Sequence, residues 1–223
     1  MIMEPVLVVD NLRVEFPYRK QWLQAVRGVS FQLLPGETLA LVGESGSGKS
    51  VTSQALMGLI DPPARVQADQ LRFESHSLLS LQEPQWRKIR GNRMSMIFQD
   101  PMTALNPLMR VGKQVCEPIQ WHTGRDADSA KMEALSWLSK VGLNEPDRVY
   151  QCYPHELSGG MRQRVVIAIA LCLRPTLVIA DEPTTALDVT VQAQILRLLQ
   201  GLQREVGMAV VLVTHDLGVV QEV

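Results

Sequence analysis

Cysteine is scarce in this chain of 223 residues. Its three cysteines, Cys116, Cys152 and Cys172, are scattered, so they offer neither a disulfide framework nor the paired spacing of a zinc site. A secreted, disulfide-stabilised protein is therefore excluded, and we expect a reducing compartment.

The chain also lacks an excess of charge of either sign. Its net charge of −1 gives no electrostatic reason to expect DNA or RNA as a partner. Hydrophobic residues make up 46% of the chain, which predicts a globular protein with a substantial core.

Long apolar runs are missing as well. The longest, Val165 to Leu173, is far shorter than the roughly 20 residues that span a bilayer. No basic region followed by an apolar stretch is visible at Met1–Pro5, as a secretory signal would need. We expect a cytoplasmic protein that reaches a membrane only through a partner.

Short β-rich runs alternate with helical patterns, which predicts an α/β fold with a mainly parallel sheet covered by helices on both faces. The stretch from about Pro101 to Leu157 loses the β-rich runs, so we interpret it as a helical insertion. One helix there should begin near Asp128 and bury Met132, Leu135 and Leu138. Strands are predicted at Val6–Val9, Leu12–Phe16, Val29–Leu33, Thr38–Val42, Leu71–Phe73, Met94–Phe98, Leu177–Ala180 and Ala209–Val213.

A complete phosphate-binding loop lies between a predicted strand and a predicted helix, the context that this motif requires. Its glycines let the backbone wrap closely around phosphate oxygens. Lys49 should neutralise the β- and γ-phosphates, and the Ser50 hydroxyl should bind Mg²⁺. The loop residues are Gly43, Glu44, Ser45, Gly46, Ser47, Gly48, Lys49 and Ser50.

Two carboxylates follow the buried strand that begins at Leu177. Asp181 can hold Mg²⁺, directly or through water, and Glu182 can accept a proton from an attacking water. Gln99 and His215 also follow strands, at the edge where open α/β sheets bind ligands. Gln99 can orient water and touch Mg²⁺, and His215 can donate a hydrogen bond to the γ-phosphate.

A second phosphate-binding pattern occurs at Leu157–Met161. It places the Ser158 hydroxyl and the backbone of Gly159 and Gly160 at the start of a helix, where a phosphate can bind. Further along, Asp188 can cap the helix that follows it.

Together these motifs resemble the nucleotide-binding subunit of ABC transporters over nearly the whole chain. Six motifs stand in the family's order. They are Gly43–Ser50 as Walker A, Gln99 as the Q-loop, Leu157–Met161 as the signature, Leu177–Asp181 as Walker B, Ala186–Asp188 as the D-loop and His215 as the switch histidine.

The resemblance implies a P-loop NTPase core with an antiparallel β-subdomain, over residues 1–99 and 165–223, and a helical signature subdomain over residues 100–164. It implies ATP and Mg²⁺ as cofactors. It further implies that two subunits pack head to tail, so that Ser158 and Gly160 contact the γ-phosphate bound by the partner subunit. ATP hydrolysis, with Glu182 as base, would then drive a membrane subunit between two states.

Two longer segments, Gln99–Pro107 and Asp181–Gln194, resemble the ATPases of oligopeptide, dipeptide and nickel importers. This implies peripheral attachment to the cytoplasmic face of the membrane, with a paralogous or identical ATPase and permease subunits as partners. A solute-binding protein would act indirectly. Because relatives continue beyond His215–Asp216 with further strands, we expect a truncated C-terminal part.

The family stacks an aromatic residue on adenine. Phe16, Tyr18 and Trp22 are candidates, and we choose Tyr18. Two rival functions remain open at this point: a soluble ABC ATPase of the DNA-repair or translation type, and a scaffold that binds ATP without hydrolysing it.

Overall fold

The computed structural model describes residues 3–185, 187–216 and 218–219. This part of the chain contains nine strands and eight α-helices. The order is β1 (Leu7–Tyr18), β2 (Gln21–Leu33), β3 (Thr38–Val42), α1 (Lys49–Leu56), β4 (Arg65–Gln67), β5 (Gln70–Phe73), β6 (His76–Ser77), α2 (Glu83–Ile89), β7 (Met94–Ile97), α3 (Pro101–Ala104), α4 (Val111–Thr123), α5 (Ala127–Lys140), α6 (Pro146–Gln151), α7 (Gly159–Leu171), β8 (Leu177–Asp181), α8 (Val189–Val206) and β9 (Ala209–Thr214).

A parallel sheet forms the centre of the fold, with the strand order β3-β9-β8-β7 within the described residues. Because the strands are parallel, their carboxyl ends meet at one edge. The phosphate loop, Gln99, Glu182 and His215 all follow strand ends there.

Both faces of this sheet are buried, as apolar parallel strands require. Along β8, Val178 and Ala180 pack into a core that includes the helices around Trp137. Leu177 and Ile179 point to the opposite core, which includes the antiparallel sheet.

The antiparallel sheet joins β2, β1, β5 and β6 in that order, and β4 also pairs with β1. It confirms the predicted antiparallel subdomain. The prediction of separate strands at Val6–Val9 and Leu12–Phe16 is wrong, because β1 runs through both and absorbs the break as register irregularities near Leu12. Asn11, at φ 53°, marks this irregular point.

Helices α3 to α7 lie between β7 and β8 in sequence, as the predicted helical insertion requires. The prediction that α5 buries Met132 is wrong, since Met132 is 67% exposed and the buried face carries Ala130, Ala134, Trp137 and Leu138. The helix begins one residue earlier than expected, because the Asp126 side chain accepts a hydrogen bond from the Ser129 N–H at 2.8 Å.

The subdomain boundaries at 99/100 and 164/165 stay predictions, and the second falls inside α7. No helix among the described residues is long and apolar enough to cross a bilayer.

Candidate functional site

The phosphate loop runs from β3 into α1 in a conformation that depends on glycine. Gly48 precedes α1 with φ 96°, in the left-handed region that side chains rarely adopt. A Cβ at this position would lie 2.4 Å from the carbonyl oxygen of Ala25 on β2. The loop therefore packs directly against the backbone of the antiparallel sheet.

Lys49 points back along this loop. Its Nζ donates hydrogen bonds to the carbonyl oxygens of Gly43 at 2.7 Å and Glu44 at 2.9 Å. The same ammonium lies 4.0 Å from Glu182 Oε1. Because the Lys49 side chain is only 8% exposed, its positive charge acts on the loop and on Glu182 with little screening by water.

Asp181 ends β8 next to the start of α1. The Ser50 hydroxyl donates to Asp181 Oδ1 at 3.1 Å. Burial raises the pKa of the Asp181 carboxyl above its ordinary value, with a further rise from the Glu182 charge, while the Ser50 hydrogen bond and Lys49 act in the opposite direction. The structure thus holds a hydroxyl and a desolvated carboxylate in contact.

Glu182 is the point on which the other predicted catalytic residues converge. Its Oε2 accepts a hydrogen bond from Gln99 Nε2 at 3.0 Å and lies 3.2 Å from His215 Nδ1. Thr185, which the sequence-based prediction missed, donates its hydroxyl to the same oxygen at 3.0 Å. The available signal was a hydroxyl three residues after Glu182, in a turn that begins with Pro183.

The backbone of Glu182 is strained. Its φ of 46° is left-handed, although it is not glycine and precedes Pro183, which disfavours helical conformations in the preceding residue. Its N–H donates to the Val213 carbonyl oxygen at 2.9 Å, which continues the pairing between β8 and β9.

Except for Asp181, the side chains described above line one cleft of about 640 Å³. The cleft adjoins a second one, of about 890 Å³, between β2 and the phosphate loop, with Ala25, Gly46, Gly48 and Lys49 common to both. The first cleft is lined by Ala25, Glu44, Ser45, Gly46, Gly48, Lys49, Ser50, Val51, Gln99, Glu182, Thr185 and His215.

The predicted signature residues are not among those that line this cleft. Ser158 is exposed and caps α7, accepting a hydrogen bond from the Met161 N–H at 3.3 Å. A Cβ on Gly160 would lie 2.8 Å from Val191 Cγ1, so its lack of a side chain is also needed for α7 to approach α8. Ser158, Gly159 and Gly160 therefore lie outside the cleft that the phosphate loop of their own chain lines.

None of the three aromatic candidates for adenine stacking lines either cleft in the described residues. Tyr18 is 58% exposed at the end of the β1–β2 hairpin, and the Arg19 guanidinium lies over its ring. Phe16 is partly buried against the core, and Arg65 covers the Trp22 ring at 3.8 Å. Tyr18 stays a prediction, and Ala186 of the predicted D-loop lies outside the described residues.

Comparison with known proteins agrees with this geometry. A family model described as ABC transporter matches residues 26–185. Dipeptide transport ATP-binding protein DppD of Bacillus subtilis (strain 168) is 54% identical over 99% of this chain and 66% of its own length. Oligopeptide transport ATP-binding protein OppD of the same strain is 52% identical over 98% of this chain and 61% of its own length.

A third relative, the glutathione import ATP-binding protein GsiA of Escherichia coli (strain K12), is 51% identical over 98% of this chain and 36% of its own length. The chain thus spans less than two thirds of the length of each of these relatives.

Among solved structures, the dimeric structure of MJ0796, a bacterial ABC transporter cassette, is similar with a TM-score of 0.85 and 29% identity, over 97% of this chain and 90% of that one.

Proposed function

Because this chain belongs to the ABC transporter family, we propose that it is the ATP-binding and ATP-hydrolysing subunit of an importer for peptides or a related small solute. The observation that carries the hydrolytic part is the convergence of Gln99, Thr185 and His215 on one carboxylate oxygen of Glu182, beside the phosphate loop. The relatives named for dipeptide, oligopeptide and glutathione transport support the solute class.

In the proposed mechanism, water attacks the γ-phosphate in line with the leaving oxygen, and Glu182 accepts its proton. Lys49 lies at the amino end of α1, where its charge and the loop N–H groups stabilise the negative charge of the phosphates. Gln99 orients the attacking water, and His215 donates a hydrogen bond to the γ-phosphate.

A magnesium ion fits the contact between Ser50 and Asp181. Mg²⁺ prefers oxygen ligands and commonly takes one or two carboxylates together with substrate phosphates. The Ser50 hydroxyl and the buried Asp181 carboxylate supply such oxygens, and a cation would offset the burial that raises the pKa of Asp181. Gln99, which lines the same cleft as Ser50, would be a third ligand through its side-chain oxygen. When bound, the ion would neutralise phosphate charge.

We propose that the complete ATP site forms between two ATPase subunits packed head to tail, as a homodimer or with a paralogous chain. The exposed Ser158 at the amino end of α7, outside the cleft of its own chain, supports this arrangement. The similarity to a dimeric cassette supports it as well.

The remaining proposed partners are permease subunits, which would hold the ATPase at the cytoplasmic face of the membrane, and a solute-binding protein that acts indirectly. The importer relatives favour this function over a soluble ABC ATPase of the DNA-repair or translation type. The intact Glu182 site favours hydrolysis over a scaffold that only binds ATP.

The test is the variant Glu182→Gln, which keeps the size of the side chain but removes the base. We expect ATP binding to persist while hydrolysis falls by about 10²- to 10⁴-fold. Glu205→Gln is the matched control, because Glu205 pairs with Lys140 on the surface and does not line the cleft. Near-normal hydrolysis by Glu182→Gln would remove Glu182 from this role.

The transport part is tested by reconstituting the ATPase in membranes with its proposed permease subunits. We expect hydrolysis to rise when peptide-loaded binding protein is added. No response to permease or solute would reject the importer while leaving the ATPase proposal intact.

A further inference from the structure

The helix that carries the predicted signature is attached to the loop that carries the predicted base. Gln163, on α7, is 1% exposed, and its Nε2 donates to the carbonyl oxygen of Pro183 at 2.6 Å. Pro183 directly follows Glu182 in the chain. A single side chain therefore spans from α7 to the peptide next to the catalytic carboxylate.

Packing alone does not account for an amide at this position. The Oε1 atom of Gln163 is buried and has no hydrogen-bond partner among the described residues. A buried acceptor without a partner destabilises a protein, so an apolar side chain of the same length would fill the space better. What the amide adds is its bond to Pro183.

The turn that begins at Glu182 is strained, and the hydrogen bond from Gln163 to Pro183 helps to hold it. Glu182 holds a left-handed conformation before a proline, which persists only where its surroundings impose it. The Val213 carbonyl oxygen accepts from the N–H of Glu182 on one side, and the Gln163 amide donates to the carbonyl oxygen of Pro183 on the other. The side chain between these two anchors is thereby held toward Gln99 and His215.

A neighbouring contact points in the same direction. Arg162, adjacent to Gln163 on α7, donates to the Leu157 carbonyl oxygen at 2.9 Å and contacts Met102 Sδ on α3. Met102 lies three residues after Gln99. Consecutive residues of α7 thus contact the segments that follow both Gln99 and Glu182.

We propose that Gln163 is a positioning residue that couples the placement of α7 to the conformation of Glu182. A shift of α7 when Ser158 meets the partner's ATP would be transmitted through this bond to the base. The inference rests on the proposed role of Glu182 and adds a means by which hydrolysis responds to docking of the partner.

The test is Gln163→Met, which keeps an unbranched side chain of similar length and removes the donor. The substitution removes the unpaired Oε1 acceptor of Gln163 and leaves the Pro183 carbonyl oxygen unpaired instead. Because these two changes offset each other, we expect the thermal midpoint to change little. We expect kcat for ATP hydrolysis to fall about 10- to 100-fold, as for small misplacements of catalytic groups, with KM for ATP within about twofold.

Gln114→Met is the matched control. Gln114 is also a buried glutamine on a helix, but its bonds run to Asn106 and Met109 within the helical region. We expect Gln114→Met to lower the thermal midpoint more than Gln163→Met does, and to lower kcat less than Gln163→Met does. The reverse order of effects on kcat would overturn the proposal.

Amide hydrogen exchange supplies a readout that does not need hydrolysis. In Gln163→Met, the N–H groups of Glu182, Thr185 and Leu187 should exchange several-fold faster, and in Gln114→Met they should not change. Unchanged exchange in a folded Gln163 variant would sink the inference even if the chain hydrolyses ATP. Faster exchange in a chain that hydrolyses none would support the coupling and reject only the proposed activity. If Gln163→Met folds poorly, Gln163→Leu is measured in the same way.

Discussion

A methyl group added at Gly48 should separate two effects that the phosphate loop combines, backbone strain and close packing. In Gly48→Ala, the new Cβ would lie 2.4 Å from the Ala25 carbonyl oxygen, and the backbone φ of 96° would be strained. Holding alanine in that conformation costs roughly 1–3 kcal/mol. Displacing the backbone of β2 costs about 1–3 kcal/mol more, as overpacking does elsewhere.

The total loss, about 2–6 kcal/mol, is a large part of the 5–15 kcal/mol that stabilises an ordinary domain. Gly46→Ala is the matched control, since Gly46 also has a positive φ, of 81°, but nothing lies within 4 Å of a methyl added there. We expect it to lose only the strain energy, roughly 1–3 kcal/mol. Urea unfolding of both variants without nucleotide measures the difference.

The difference between the two variants therefore isolates the contact with Ala25. A loss in Gly48→Ala no larger than in Gly46→Ala would refute the reasoning, because it would mean that β2 yields to the methyl without cost. A Gly48→Ala variant that unfolds in two steps would show the antiparallel sheet separating from the parallel one. That result would place the 2.4 Å contact at the junction of the two sheets.

Three further predictions concern other parts of the chain. Burial raises the pKa of the Asp181 carboxyl in the folded state above its unfolded value near 3.8. Without nucleotide, the contribution of Asp181 to the free energy of unfolding is therefore most favourable below pH 3.8 and is lost as the pH rises through the folded pKa. Asp181→Asn should flatten this pH dependence in urea unfolding and raise the free energy of unfolding at pH 7. It should also remove the Mg²⁺ dependence of ATP binding. An unchanged pH profile of unfolding would contradict the raised pKa of Asp181. Gly201→Ala, in the exposed middle of α8 with open space around it, should raise the free energy of unfolding by about 0.5–1 kcal/mol, and a decrease would show a contact at that position. Ser158→Arg should leave ATP binding by the isolated subunit unchanged but abolish hydrolysis by the pair, and full hydrolysis would count against a site shared between subunits.

The sequence predicts the parallel core well because its strongest signals are local. Leu177–Asp181 is a short apolar run ending in a carboxylate, and the structure confirms it as β8 in the middle of the sheet. Asp188 is predicted to cap a helix, and its Oδ1 accepts a hydrogen bond from the Val191 N–H at 3.0 Å. Each of these follows from residues that lie within one element.

Predictions that depend on packing between distant segments did less well. Helical spacing predicts the burial of Met132, Leu135 and Leu138, but of these only Leu138 is fully buried, because the neighbours of α5 contact the face that also carries Trp137. Spacing defines which residues share a face, and it leaves open which of two apolar faces is covered. The role predicted for Gly160 is likewise incomplete, because its contact with Val191 joins residues 31 positions apart in the chain.

Glu182 shows why the decisive geometry of the site cannot be predicted from the sequence. Local preference opposes its left-handed backbone twice, once because it carries a Cβ and once because proline follows. The surroundings that impose this conformation come from Val213 on β9 and Gln163 on α7, one 31 residues after it and the other 19 residues before it. A conflict between local preference and tertiary structure is expected where function requires a particular geometry. The conflict at Glu182 therefore supports its assignment as the base independently of the motif, and it predicts that Gln163 and Glu182 variants will show non-additive losses of hydrolysis.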